Sequence, residues 1–474
     1  VSDTRSSAPS PTSAAPSTTR MPRSGLSGGQ SILVSSLLFG LFFGAGNLIF
    51  PVELGRAAGR DVTIATLGFL LTAVGLPIVG VIASAVSHTS SVLEIASRVG
   101  RRFGVFFTCA LYLTIGPLFA IPRTATVSYE VGVRPLLPDS MATVALAVFS
   151  VIFLGLTALF AMRPGKLIDW IGKYLNPAFL ISLSAVLIFA VITPMTDGPL
   201  AAPTGAYATS PLVAGLLDGY GTMDALGSLA FAVLVIDSIH RLGVRDIKGV
   251  AVQTGKAGVI AGIAMSVLYG LLAFVGATSL TVAAGAANGG AILAAVSRHY
   301  FGPGGQLLMA AIVFFACLKT AIGLTTACAE MFAQVFPDRM PYDRWVQIFA
   351  AISLGVANIG LAAIVKVSVP VLMFLYPIAI ALILLALATR WLQHRPEVYR
   401  WTIGFVCVAA VFDALRALPA SISGSSTVTT LLDMVATVLP GLQSGFGWML
   451  PAVIGATIGV VLSQRRLGRV DTAA

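Results

Sequence analysis

The first apolar stretch of the chain reads L-F-G-L-F-F-G-A-G-N-L-I-F-P from Leu38 to Pro51. It is apolar enough to enter a membrane, yet it places Gly40, Gly44, Gly46, Asn47 and Pro51 where a continuous helix would be weakest. The pattern predicts a helix broken near its middle. A break frees the amide N–H groups of Ala45, Gly46 and Asn47 at the start of the outer half, where the positive end of the helix dipole suits a carboxylate. It also frees carbonyls at the end of the inner half, which suit a cation. A merely kinked packing helix is the plain alternative, and an asparagine beside two glycines near the midplane weighs against it.

The composition supplies the solvent for this helix. Of 474 residues, 57% are hydrophobic and only 10% are charged, with a mean hydropathy of +0.93, whereas soluble domains carry about 25% charged residues. A soluble globular protein is excluded. Apolar runs of about 20 residues, the length that crosses the hydrocarbon layer, recur twelve times. Their approximate limits are 31–58, 62–86, 104–131, 142–162, 169–193, 212–239, 251–277, 304–335, 344–365, 368–389, 400–418 and 444–464. The expected fold is an all-α polytopic membrane protein with 12 transmembrane helices.

The net charge of +10 comes from 29 Lys and Arg against 19 Asp and Glu. With both termini cytoplasmic, 21 of the 29 basic residues fall in inner segments and six in outer loops, as the positive-inside rule requires. Only Arg123 and Lys319 lie within spans and away from their ends. The basic balance thus reports orientation in a cytoplasmic membrane and leaves no charged stripe for a nucleic acid. Residues 1–28, rich in Ser, Thr, Pro and Ala, read as a disordered cytoplasmic tail with no cleaved signal peptide. The cysteines Cys109, Cys317, Cys328 and Cys407 fall in helices without metal or redox spacing and read as packing residues.

The sixth span carries a second glycine-interrupted segment, G-Y-G-T-M-D-A-L-G-S-L-A-F from Gly219 to Phe231. It lies five spans after the first, and an odd offset inverts the topology. Two broken segments in corresponding positions of opposed halves point to a transporter site at a repeat interface. Helices 1–5 and 6–10 then form an inverted 5+5 repeat, residues 29–193 and 212–395 of a core spanning 29–395. Residues 396–474 add two C-terminal helices and a short cytoplasmic end. A twelve-helix exporter of the major-facilitator type would place its related segments in helices 1 and 7. A membrane-embedded enzyme lacks support because His88, His240, His299 and His394 all map to loops or helix ends. No phosphate-cradling loop is present, and the pairs Gly258/Gly262 and Gly455/Gly459 read as close helix packing.

Three ionisable residues remain inside the membrane, where each needs a partner or a wet cavity: Arg123, Asp224 and Lys319. Arg123 is expected to snorkel outward or to pair with Asp224. Lys319 sits about 13 residues, roughly 20 Å, from either end of helix 8, too far for its side chain to reach water. The carbonyls of a broken first helix would serve its ammonium.

Four separated segments carry a resemblance: L-F-F-G-A-G-N-L-I-F-P at 41–51, I-P-R-T-A-T-V-S-Y-E at 121–130, T-M-D at 222–224 and A-C-L-K-T-A-I-G-L-T-T-A-C-A-E at 316–330. Together they are similar to the bacterial branched-chain amino acid:cation symporter family, over residues from about 31 to the last helix. The resemblance implies a leucine-transporter-like fold of the amino acid, polyamine and organocation superfamily. It also implies import of leucine, isoleucine and valine driven by Na+ or H+. Neither a cofactor nor an obligate protein partner is expected. In a substrate site that also includes Gly44, the backbone amides of Ala45, Gly46 and Asn47 would hold the substrate carboxylate. Carbonyls near Gly227 and Ser228 would take the amine, and Leu229 and Phe231 would wall the side chain. The cation site would comprise carbonyls of Gly40, Phe43 and Ala316 with side chains at Lys319 and Thr320. Sodium-coupled relatives carry F-F-A-G-L-T-S-S where this chain reads F-F-A-C-L-K-T-A from Phe314 to Ala321. Lys319 therefore predicts sodium independence, as a fixed cation surrogate or as a carrier of the coupled proton.

Overall fold

A computed structural model describes residues 25–87, 91–163, 176–196, 198–392 and 395–471. Most of the N-terminal tail, the start of the fifth span, and His88 and His394 lie outside the described residues. Helices account for nearly everything else, with no strand among the described residues.

The chain opens with α1 (Gly28–Phe42), started by Ser27, whose hydroxyl accepts from the Gln30 amide while Gln30 accepts from the Ser27 amide. Phe43 and Gly44 are extended, and α2 (Ala45–Ala58) resumes beyond them. The first span is broken where its glycines cluster. The second span is α3 (Val62–Leu70), a five-residue π-helical turn and α4 (Leu76–Val86). After the short α5 (Val92–Ser97), the third span comprises α6 (Arg101–Leu113) and α7 (Ala120–Gly132). It is not the continuous helix expected over 104–131. Gly116 (φ −106°, ψ −121°) and Phe119 (φ −135°, ψ −55°) leave the helical region on either side of Pro117, which has no N–H to donate.

Where the fourth and fifth spans are expected stand α8 (Ala142–Ala161) and α9 (Asn176–Ile192), of which only α8 is long and apolar enough to cross a membrane by itself. The sixth joins α10 (Pro211–Asp218) through a 3-10 turn to α11 (Asp224–Arg241), bent by 44°. Then follow α12 (Ile247–Thr278) and α13 (Gly289–Val335). Within α13, Gly302 (φ 62°, ψ −158°) and Pro303 separate an initial helix from the eighth span. Residues 289–301 are therefore helical, although they lack the length of a span. Gly360, at φ 86°, parts α14 (Tyr342–Ala357) from α15 (Leu361–Leu387), which moves the expected junction of the ninth and tenth spans a few residues earlier. The chain ends with α16 (Pro396–Arg416), α17 (Ser426–Ala436) and α18 (Met449–Asp471).

Seven helices among the described residues are long and apolar enough to cross a membrane, or eight when the bent pair counts as one span. α8 illustrates why water is not their solvent. It buries Phe153, Leu154 and Thr157 on one face and exposes Val144, Val148, Val151 and Ile152 on the other, so both faces are apolar. This is a multi-pass membrane protein.

Close backbone approach fixes the broken spans in place. A Cβ on Gly55 of α2 would come 1.8 Å from the Ala273 carbonyl of α12, and one on Gly276 of α12 would come 2.0 Å from the Val52 carbonyl. The second and sixth spans pack the same way, with Gly68 against Leu212 and Gly215 against Ala65. Gly455 and Gly459 of α18 seat against Trp401 and Val398 of α16, whereas Gly258 and Gly262 receive the Ile78 side chain.

Candidate functional site

Three breaks, in the first, third and sixth spans, meet around one small cavity. Its lining includes Gly44–Asn47 from the first break and Ile115, Ala120, Arg123 and Thr124 from the third. The sixth break contributes Thr222, Met223 and Asp224. Gly227 and Phe231 of α11, Leu41 and Phe42 of α1, and Thr320 and Leu324 of α13 complete the wall. The volume is about 40 Å³, room for about three or four waters at roughly 10–15 Å³ each on a comparable measure.

Asn47 joins the first break to the sixth. Its Oδ1 accepts from the Gly44 amide at 2.9 Å, satisfying an N–H that the break exposes. Its Nδ2 donates to Asp224 Oδ2 at 2.5 Å and to the Tyr269 hydroxyl, which in turn donates to Asp224 Oδ2 at 3.4 Å. The triangle is buried, with Asn47 at 2%, Asp224 at 5% and Tyr269 at 0% exposure. These hydrogen bonds tie α2, α11 and α12 together beside the cavity.

Arg123 plays the complementary part in the first turn of α7. Its Nη1 donates to the Gly221 carbonyl at 2.6 Å and its Nη2 to the Thr222 carbonyl at 3.4 Å, covering backbone acceptors that the sixth break leaves open. The guanidinium stacks 5.2 Å from the centre of the Phe50 ring. It also presses on Gly46, where a Cβ would come 2.6 Å from Nη2. Arg123 is 3% exposed, which overturns the expectation that it snorkels. Nor does it pair directly with Asp224, because the two do not approach within 4.0 Å. It holds instead the two carbonyls just before Asp224.

The other expected site residues divide. Gly44, Ala45, Gly46, Asn47, Gly227, Phe231 and Thr320 line the cavity; Ser228, Leu229, Gly40, Phe43, Ala316 and Lys319 do not. The sixth break falls at Met223 (φ 65°, ψ 10°), so Gly227 already donates its amide to the Met223 carbonyl within a helical turn. Ser228 is fully buried, its hydroxyl on the Ala225 carbonyl at 2.7 Å. The unwound backbone is that of residues 219–223, four to nine residues earlier than Gly227 and Ser228 would suggest. On the cation side, Phe43 stacks between Phe39 and Tyr269. Thr320 reaches the first break, with its Cγ2 3.1 Å from a Cβ placed on Gly44, and its hydroxyl donates to the Ala316 carbonyl at 3.1 Å. Lys319 is the adjacent, half-buried residue of α13.

The sequence gives no role to Tyr269, and it marks Phe50 and Thr222 only as members of the segments that carry the resemblance. Tyr269 carried no signal, since one tyrosine in an apolar span reads as core. Phe50 lies four residues after Gly46 and so shares its helix face.

A family profile described as branched-chain amino acid transport protein matches residues 27–466. The branched-chain amino acid permease BrnQ of Lactobacillus delbrueckii subsp. lactis is 45% identical over 441 residues, covering 92% of this chain and 98% of the relative. The permease of the same name from Escherichia coli (strain K12) is 36% identical over 443 residues, covering 94% and 97%. Among solved structures, MHP1, a nucleobase-cation-symport-1 family transporter in a closed conformation, superposes with a TM-score of 0.58 at 13% identity. It covers 92% of this chain and 93% of its own. The manganese transporter of Eremococcus coleocola gives 0.56 at 14% identity, covering 91% and 94%. These two share the fold, which is leucine-transporter-like, and identities that low carry no more than the fold. With the profile spanning nearly the whole chain and relatives above 35% identity along their full length, the chain belongs to the branched-chain amino acid transport protein family.

Proposed function

We propose that the protein imports leucine, isoleucine and valine across the cytoplasmic membrane by alternating access around the cavity between the broken spans. The observation that carries this reading is Asn47, which bridges the first break to the sixth within that cavity. Discontinuous helices at positions 1 and 6 favour an inverted 5+5 repeat, residues 29–193 and 212–395, over the parallel halves of a major-facilitator exporter. Twelve spans follow when the broken first, the fifth, the ninth and the last join the eight longer ones. Both termini then face the cytoplasm, consistent with the basic residues of the inner loops.

A cavity of about 40 Å³ is too small for a leucine, so its walls must part to admit one. The amides of Ala45–Asn47 begin α2 and favour an anion there. Phe42 and Phe231, with ring centres 6.4 Å apart, offer apolar surface to a branched side chain. A pocket of this kind separates substrates that differ by one methylene by only about 1–3 kcal/mol, so the three amino acids compete. Lys319, next to the residue that touches Gly44, supplies positive charge where sodium-coupled relatives carry hydroxyls. It serves as a built-in cation or as the carrier of the coupled proton.

Uptake of labelled leucine by purified protein in liposomes tests the reading, with sodium or proton gradients imposed separately and isoleucine and valine as competitors. Saturable uptake, inhibited by both competitors and proceeding without sodium, is expected. Absence of saturable leucine uptake under every gradient rejects the substrate. Strong stimulation by sodium rejects the role given to Lys319.

A further inference from the structure

We infer that Arg123 and Asp224 are the two polar anchors of the substrate, the guanidinium receiving its carboxylate and the Asp224 carboxylate its ammonium. This deepens the proposed transport site and rests on it. Both side chains line the same cavity, both are buried, and they stand more than 4.0 Å apart. Two opposite charges in one enclosed space would gain by closing into an ion pair, since attraction grows as the dielectric falls. Here neutral dipoles hold them apart: the Gly221 and Thr222 carbonyls secure Arg123, while Asn47 and Tyr269 secure Asp224. Separated poles of opposite sign complement a zwitterion.

The donor inventory points the same way. A guanidinium has five N–H groups; two reach carbonyls, and the Nε–H is buried without a partner. A buried donor left unpaired is costly, and a ligand carboxylate in the cavity would relieve that cost. The guanidinium also lies against Gly46, beside the amides that begin α2, so side-chain charge and helix dipole reinforce one positive pole. Asp224 is the one acidic side chain lining this cavity, which makes it the negative pole. An amine without a carboxylate, or an acid without an amine, leaves one buried charge uncompensated. Such a site selects α-amino acids before it selects among side chains.

The test measures binding to full-length purified protein of three ligands sharing one hydrocarbon: leucine, 3-methylbutylamine, which lacks the carboxylate, and 4-methylpentanoate, which lacks the amine. In the wild type both analogues should bind on the order of a hundredfold more weakly than leucine, or worse. Arg123→Gln should shrink the leucine preference over 3-methylbutylamine by about tenfold or more while keeping the preference over 4-methylpentanoate, and Asp224→Asn should do the reverse. If either protein fails to fold, Arg123→Lys and Asp224→Glu replace it; each should alter the preference only at its own pole. A folded variant that weakens all three ligands alike, to any degree, overturns the assignment and makes the residue structural. Failure of the wild type to bind leucine would instead reject the proposed substrate.

Discussion

The breaks in the first and sixth spans reverse what their residues would suggest. Gly44 opens the first break at φ −124° and ψ −164°, extended backbone that any residue adopts. Met223 closes the sixth at φ 65° and ψ 10°, the left-handed region that favours glycine, and it is the only non-glycine residue at positive φ among the described residues. The glycines of the first break therefore provide space. Gly44 admits Thr320, and Gly46 admits the guanidinium of Arg123. The sixth break is held from outside, by Arg123 on the Gly221 and Thr222 carbonyls and by the Thr222 hydroxyl facing the Asp224 amide at 3.4 Å. One break is set by its own sequence, the other by a neighbour.

That contrast can be broken experimentally. Arg123→Gln should do the most damage, because it uncovers the carbonyls of the sixth break and removes a buried charge. Truncating such a group costs about 2–5 kcal/mol, so leucine uptake in liposomes should fall below detection, with a lowered melting temperature. Asn47→Ala should follow, since it releases the Gly44 amide and the Asp224 carboxylate together. A loss of about 1–3 kcal/mol would appear as a leucine affinity weakened roughly tenfold or more. Tyr269→Phe removes one hydroxyl from the triangle and should cost about 1 kcal/mol, a few-fold change in affinity. Met223→Gly should change least. Relief of about 1–2 kcal/mol of left-handed strain is offset by glycine's greater freedom in the unfolded chain, leaving stability within about 1 kcal/mol of wild type. If Met223→Gly instead abolished uptake, the side chain and not the backbone conformation would define the sixth break.

The two breaks also explain how much the sequence revealed. Gly44, Gly46, Asn47 and Pro51 are local signals, and the first break falls among them. Five spans later, Gly219 and Gly221 bracketed the right region, but the turn itself is completed at a methionine because Arg123, 100 positions away, holds the carbonyls before it. No local pattern encodes that. The third break has its own local signal in Gly116 and Pro117, but Ile115 and Leu118–Ile121 beside them are apolar and mark no site. Arg123 was misread for a related reason. Distance along a helix suggested an outward reach, whereas the break at Gly116–Phe119 turns the first residues of α7 toward the cavity.

The meeting of the breaks as the substrate site is tested most directly by Gly46→Leu, a side chain placed where the guanidinium and the first amides of α2 converge. Thermal unfolding of the purified protein, with and without saturating leucine, gives the result in one experiment. Wild type should be stabilised by leucine, as any ligand that binds only the folded state requires, and folded Gly46→Leu protein should show no shift. A leucine-dependent shift of wild-type size in Gly46→Leu would place the binding site elsewhere.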